Sequence, residues 1–245
     1  MMGFSEPIRA VVIGARGGVG SAFVEAISAA SGRNEVWATS TTGDGVPASA
    51  SHTSALDITS EDSVVSMAEA LDRAEFCPNF VINCTGILHT DSFGPERSWR
   101  HLDLDVMRRV FEVNTFGVGL LGKHLIPRFD RRARSVFASL SARVGSIEDN
   151  RLGGWYSYRA SKAAQNMFIK TLAIEASMKW QGLICVALHP GTVDTELSKP
   201  FTSRVPEEKL FSREVACRHL CDVVEGLTVK DSGGFYAWDG KPIVY

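Results

Sequence analysis

The stretch R-A-V-V-I-G-A-R-G-G-V-G, Arg9 to Gly20, changes character halfway along. Its first half is a continuous apolar run, the pattern of a strand buried on both faces, and it ends in glycine. From Gly14 the segment G-A-R-G-G-V-G opens a second pattern, in which Ala22, Phe23, Ala26, Ile27 and Ala30 recur at helical spacing until Gly32. A glycine turn between a buried strand and a helix start suits a phosphate. It turns tightly, lets an anion approach the backbone amides, and places it where the helix dipole favours negative charge.

The same alternation continues outward. E-V-W-A-T-S, ending at Ser40, reads as a second strand, and Thr59 or Ser60 with Glu61 and Asp62 starts a helix carrying Val64, Ala68 and Leu71. F-V-I-N-C, S-V-F-A-S-L and L-I-C-V-A-L are further apolar runs, separated by helical patterns over Asp103 to Ile126 and Tyr158 to Trp180. Strands alternating with helices predict an α/β chain, 1–245 forming one dinucleotide-binding domain of Rossmann type, with a doubly wound parallel sheet and helices on both faces. The irregular segment 192–211 is too long for a simple connection and is expected to be a lid over the site.

Composition narrows the partners. The 245 residues are 44% apolar with a formal net charge of -2. That balance supplies no global basic field, so neither nucleic acid nor a membrane surface is expected as a partner. Arg128 to Arg134, R-F-D-R-R-A-R, reads as a solvated helix end. Cys77, Cys84, Cys185, Cys217 and Cys221 are odd in number and lack paired Cys-x-x-Cys spacing, which predicts reduced thiols and a cytoplasmic location. No metal site is expected: His89 and His189 have no spaced partners and read as structural or pocket-lining. The N-terminal residues lack a long apolar run, and no segment approaches the roughly 18 apolar residues of a membrane span.

W-Y-S-Y-R-A-S-K, Trp155 to Lys162, carries the chemistry. Lys162 lies four residues after Tyr158, on the same helix face, whereas the position four after Tyr156 is Ala160. A phenol of pKa about 10 becomes a usable acid/base when a fixed positive charge favours its phenolate.

These segments together resemble the short-chain dehydrogenase/reductase superfamily over nearly the whole chain. Its glycine motif matches Gly14, Gly18 and Gly20, with Val19 between them; its adenine-contacting Asp matches Asp57, followed by Ile58. Its Asn-x-x-Gly matches Asn83, Cys84, Thr85 and Gly86, its helix-borne catalytic Asn matches Asn114, and its Tyr-x-x-x-Lys matches Tyr158 and Lys162. Its Pro-Gly segment matches Pro190, Gly191, Thr192, Val193 and Thr195. Within the superfamily, L-S-A-R-V-G-S-I and L-H-P-G-T-V-D-T resemble the C-factor and sniffer-like carbonyl reductases.

The resemblance implies that Tyr158 donates a proton to a substrate carbonyl while hydride arrives from nicotinamide. It also implies that Lys162 lowers the Tyr158 pKa and binds the nicotinamide ribose, and that Asn114 holds a water linking Lys162 to solvent. A serine polarises the carbonyl. Counting back from Gly145 puts that position at Ala142, and counting forward along the strand puts it at Ser141, which is preferred, with Ser139 as the fallback. NADP is favoured over NAD, because Ser40 stands where a carboxylate would hold a ribose 2'-hydroxyl and Arg16 is available for a 2'-phosphate. Leu88, Arg143, Trp155, Tyr156 and Phe201 are the expected pocket neighbours. The expected activity is NADP-dependent reduction of an aldehyde or ketone by a homodimer or homotetramer. Two alternatives stay open: an NAD-dependent alcohol dehydrogenase, and a dinucleotide-binding signalling protein with little turnover.

Overall fold

The computed structural model describes residues 7–204 and 206–245. The N-terminal residues 1–6, and Val205 within the expected lid, lie outside the described residues. The chain runs β1 (Arg9–Ile13), α1 (Gly18–Ala29), β2 (Glu35–Ser40), β3 (His52–Ala55), α2 (Glu61–Arg73) and β4 (Phe80–Asn83). Next come α3 (Leu104–Phe111), a π-helical turn (Glu112–Phe116) and α4 (Gly117–Leu125), then β5 (Ser135–Leu140) and α5 (Tyr156–Ala176). It ends with β6 (Leu183–His189), β7 (Thr192–Val193), β8 (Leu210–Phe211), α6 (Arg213–Gly226) and β9 (Phe235–Ala237).

Seven strands form one parallel sheet in the order β3-β2-β1-β4-β5-β6-β9. Successive side chains of a strand face opposite ways, so Val12 faces one core with Phe23 of α1 and Leu220 of α6. Val11 and Ile13 face the other, with Leu71 of α2, Leu121 of α4 and Ile169 of α5. Both faces are covered, which is why β1, β4, β5 and β6 read as largely apolar runs. The chain builds outward from β1 to β3 and then crosses back to β4. The crevice beyond the carboxyl ends of β1 and β4 is therefore the switch point where open α/β sheets bind ligands.

Four differences from the sequence reading have physical causes. β3 is a sheet edge with alternating exposure and the polar sequence H-T-S-A, and β9 has only three residues, so neither carries an apolar run. α6 buries Ala216, Cys217, Leu220, Val223 and Val224, a stripe interrupted by charged residues that hid it. The segment 192–211 is not wholly irregular: β7 and β8 pair as a small parallel sheet that pins its two ends, with 3-10 turns between. Finally, α5 begins at Tyr156 rather than Tyr158, for a reason that lies in the site itself.

Candidate active site

The N-terminus of α5 is capped from a distance. Trp155, at its N-cap, has φ +53° and supplies no side-chain cap. The buried Glu96 carboxylate instead accepts the Ser157 N–H at 3.2 Å and the Ser157 hydroxyl, and the Glu96 carbonyl accepts the Trp155 N–H at 2.6 Å. A carboxylate here satisfies otherwise orphaned amides and complements the helix dipole. It also ties the 89–97 loop to the helix that bears Tyr158.

Tyr158 and Lys162 follow on the buried face of α5, with the Lys162 ammonium 5.8 Å from the phenol ring centre. Burial pushes the Tyr158 phenol up to about 12 and pulls the Lys162 ammonium down to about 7. The expectation that Lys162 lowers the Tyr158 pKa is thus corrected for this state. Desolvation penalises both charged forms, and a half-protonated lysine offers the phenolate little field. Lys162 Nζ donates to the Leu140 carbonyl at 2.9 Å and to Gln165 Oε1 at 2.8 Å.

Asn114 sits in the π-helical turn between α3 and α4, where the ladder is locally wide. Its amide is closed on both sides: Oδ1 accepts the Ile87 N–H at 2.8 Å, and Nδ2 donates to the Ile87 carbonyl and to Ser161 Oγ. This fixes α4 and α5 against the segment after β4. A Cβ at Gly86 would lie 3.5 Å from Lys162 Nζ and 3.6 Å from Asn114 Oδ1, so these groups converge on one spot of bare backbone.

Both candidate serines point inward. Ser139 Oγ accepts from Asn83 Nδ2 and Gln165 Nε2, each at 3.0 Å. Ser141 Oγ donates to Asn166 Oδ1 at 2.7 Å, and the Asn166 Nδ2 is buried without a partner. Ala142 is half-buried at the start of the turn Arg143–Gly145.

At the other end, Gly14 has φ +76°, a conformation other residues adopt only with strain. Gly20 is held tighter still: a Cβ there would fall 2.3 Å from the Gly14 carbonyl oxygen. α1 starts without a side-chain cap, so its first amides are left for an external acceptor. Glycines packed to this tolerance before uncapped amides fit a dinucleotide pyrophosphate, and Gly14, Gly18, Val19 and Gly20 would hold it. Thr195 closes the loop from above, since a Cβ on Gly18 would come 2.7 Å from its Cγ2. Pro190, Gly191, Thr192 and Val193 lead into this contact through β7.

Several side chains expected near the cofactor have partners within the protein. Ser40 is buried and donates to the Asp44 carbonyl at 2.7 Å, closing the loop after β2; exposed Thr41 and Thr42 occupy the corner instead. Asn83 Oδ1 is consumed by Thr85 N and Oγ1, and burial pushes the Cys84 thiol up. From that segment it is Gly86 that faces Lys162 and Asn114. Asp57 holds Thr59 through Oδ1, which lowers its pKa, and Ile58 is buried under Gly117. Arg16 is exposed and lays its stem against Gly45, in the loop that contains the exposed carboxylate Asp44.

A cavity of about 560 Å³ opens beside the α5 cap, lined by the 89–97 loop, Trp155, Pro200 and Phe201. Trp155 meets the Tyr158 ring edge-on at 6.2 Å and Phe201 at 5.0 Å, while His89 anchors the facing segment through the Glu196 and Leu197 carbonyls. Of the expected pocket neighbours, Trp155 and Phe201 line this cavity. Leu88 is buried and does not line it, Arg143 pairs with Asp149 at 3.5 Å, and Tyr156 is exposed. Phe93 and Arg97, which the sequence did not single out, line it instead.

A family model for short chain dehydrogenases matches residues 9–206. The chain belongs to the short-chain dehydrogenase family. It is 34% identical over 185 residues to the 1-hydroxy-2-glutathionyl-2-methyl-3-butene dehydrogenase of Rhodococcus sp. strain AD45, covering 76% of each chain. It is 29% identical over 165 residues to the C-signal protein of Myxococcus xanthus, covering 65% of this chain and 94% of that one. The NADPH-bound carbonyl reductase from chicken fatty liver superposes with a TM-score of 0.81 at 26% identity, covering 98% of this chain and 100% of that one. The short-chain dehydrogenase is therefore an NAD(P)-dependent oxidoreductase, and its fold and C-factor-like character are those read from the motifs.

Proposed function

We propose that the protein reduces an aldehyde or ketone with NADPH, Tyr158 giving its proton to the carbonyl oxygen. The observation that carries this reading is the placement of the Tyr158 phenol. Its buried ring lies edge-on to Trp155, which lines the aromatic-walled cavity, and 5.8 Å from the ammonium of Lys162, which shares the bare backbone at Gly86 with Asn114. When bound, the dinucleotide supplies the hydride. A phenol held at about 12 is fully protonated at neutral pH, the form a carbonyl reduction requires. Trp155 and Phe201 shield the transfer from water, and the 192–211 segment, pinned by β7 and β8, serves as the lid.

Ser141 is assigned to polarise the carbonyl, because the Ser139 oxygen is fully buried and held inward by the Asn83 and Gln165 amides. A half-turn of the Asn166 amide would satisfy its orphaned Nδ2 on Ser141 Oγ and release the serine proton. The exposed Arg16 supports NADP over NAD, with Asp44 setting a limit on that preference. Arg97 lines the cavity together with its aromatic residues and suits an acidic end on an amphipathic carbonyl compound, with Asp91 in the same lining setting a limit on that preference. Phe116, Met167, Phe168 and Ile174 are exposed on the π turn and α5, a face suited to a second copy of this chain.

The test is oxidation of NADPH, and separately NADH, with a panel of aldehydes, ketones and quinones. Alcohols bearing glutathione are run in the reverse direction, because a relative is named for one. Tight NADPH binding with no turnover across the panel would replace this reading with a nucleotide-sensing role. A Ser141→Ala variant is expected to lose about tenfold or more in kcat; parental turnover would remove Ser141 from the mechanism.

A further inference from the structure

Lys162 is a buried cation without a counter-charge. Among the described residues no carboxylate lies within ion-pair distance of it, and two of its three hydrogens go to neutral oxygens, those of Leu140 and Gln165. Gln165 is itself 1% exposed and fully committed. Its Nε2 donates to Ser139 Oγ and to the Leu140 carbonyl, both at 3.0 Å. Ser139 is held from the other side by Asn83, whose Oδ1 takes Thr85 N at 3.1 Å and Thr85 Oγ1 at 2.6 Å. The amide can sit only one way round. Reversed, its NH2 would face the ammonium, and the Leu140 carbonyl would lose a donor.

We infer that Gln165 is the positioning residue of Lys162, holding its ammonium against β5 and linking it, through Ser139 and Asn83, to the backbone segment that approaches the glycine loop. Two hydrogen bonds fix where the charge lies and leave one N–H for the cofactor ribose or for Tyr158. A neutral acceptor does this without cancelling the charge, which a carboxylate at the same place would do. The inference rests on the reading of Tyr158 and Lys162 as the reacting pair. The groups facing Lys162 from the other elements are the Leu140 carbonyl on β5, Asn114 in the π turn, Gly86 after β4 and Gly145 after β5; Tyr158 on its own helix is the titratable one.

The decisive experiment follows the Lys162 side chain by NMR in 13C-lysine-labelled protein with NADPH present, using Lys162→Met to assign the resonance. Gln165→Leu removes the acceptor and is expected to lower the Lys162 pKa by about one unit; Gln165→Glu is expected to raise it by at least that much. In both variants kcat should fall about tenfold with a smaller change in KM. In Gln165→Leu the pH profile of alcohol oxidation should move to the alkaline side, because the weaker charge favours the phenolate less. Gln165→Met, with no amide, should behave as Gln165→Leu; parental pKa and kcat in these variants would overturn the inference. Should Gln165→Leu fail to fold, the Gln165→Glu titration alone decides: an unshifted Lys162 overturns it. A protein that reduces no carbonyl but shows these titration shifts would refute the catalytic reading and leave the Gln165–Lys162 link standing.

Discussion

The two ends of the crevice are made of different material. At the β1–α1 end the working surface is backbone, shaped by where side chains are missing: Gly14 at positive φ, and Gly20 where a Cβ would run into the Gly14 carbonyl. At the β5–α5 end it is a web of buried side chains, Lys162, Gln165, Ser139, Asn83, Asn114 and Ser161, in which each polar group is held by another. The first end fails by steric intrusion and the second by loss of a partner. A substitution at one end should therefore alter binding, and at the other it should alter rate.

The largest expected effect on cofactor affinity breaks the first end. Gly20→Ala forces a methyl against the Gly14 carbonyl, so NADPH affinity, measured by isothermal titration, should fall by at least about a hundredfold. An affinity equal to the parent's would show that the loop is not the cradle.

Next comes Lys162→Met, which should cost about a hundredfold in kcat while raising the thermal midpoint. The sign follows from linkage. Lys162 titrates at about 7 in the fold and near 10.5 when unfolded, so between those values the unfolded chain holds more protons and stability rises with pH. The burden of the buried charge is fully present below about pH 7 and gone above 10.5. Scanning calorimetry should therefore find the gain in Lys162→Met large at pH 6 and small at pH 10, and a pH-independent gain would contradict the buried-charge account.

The smallest effect sharpens the first end rather than breaking it. Arg16→Ala should weaken NADPH about tenfold and leave NADH unchanged. Equal losses for both cofactors would mean that Arg16 supports the loop and not a 2'-phosphate.

What the sequence showed and what it hid follow the same division. The glycine loop, the Tyr158–Lys162 pair and the core strands were legible because each depends on neighbours a few residues away: an apolar run, a glycine spacing, one helical turn. Ser40 and Asn83 could be placed along the chain but their side-chain partners could not, the Asp44 carbonyl for Ser40 and Thr85 and Ser139 for Asn83. Glu96 was not legible because its partner is remote; Gln165 lies three residues from Lys162, but an i,i+3 Gln carries no signal without its second partner across the core. Glu96 reaches Ser157 over 61 positions, and Gln165 reaches Ser139 over 26. The cavity was half legible. Trp155 was visible beside the Tyr158 motif, while the 89–97 loop that faces it is tied there by the remote Glu96 cap.

The central claim is that Tyr158 transfers the proton and does not merely line the site. Its most direct test is Tyr158→Phe, with NADPH affinity and single-turnover carbonyl reduction measured on the same preparation. The account predicts affinity within about twofold of the parent and a hydride-transfer rate lower by about a thousandfold, because the ring stays packed on Trp155 while the proton is gone. Reduction at the parental rate would contradict it and place the proton donor elsewhere.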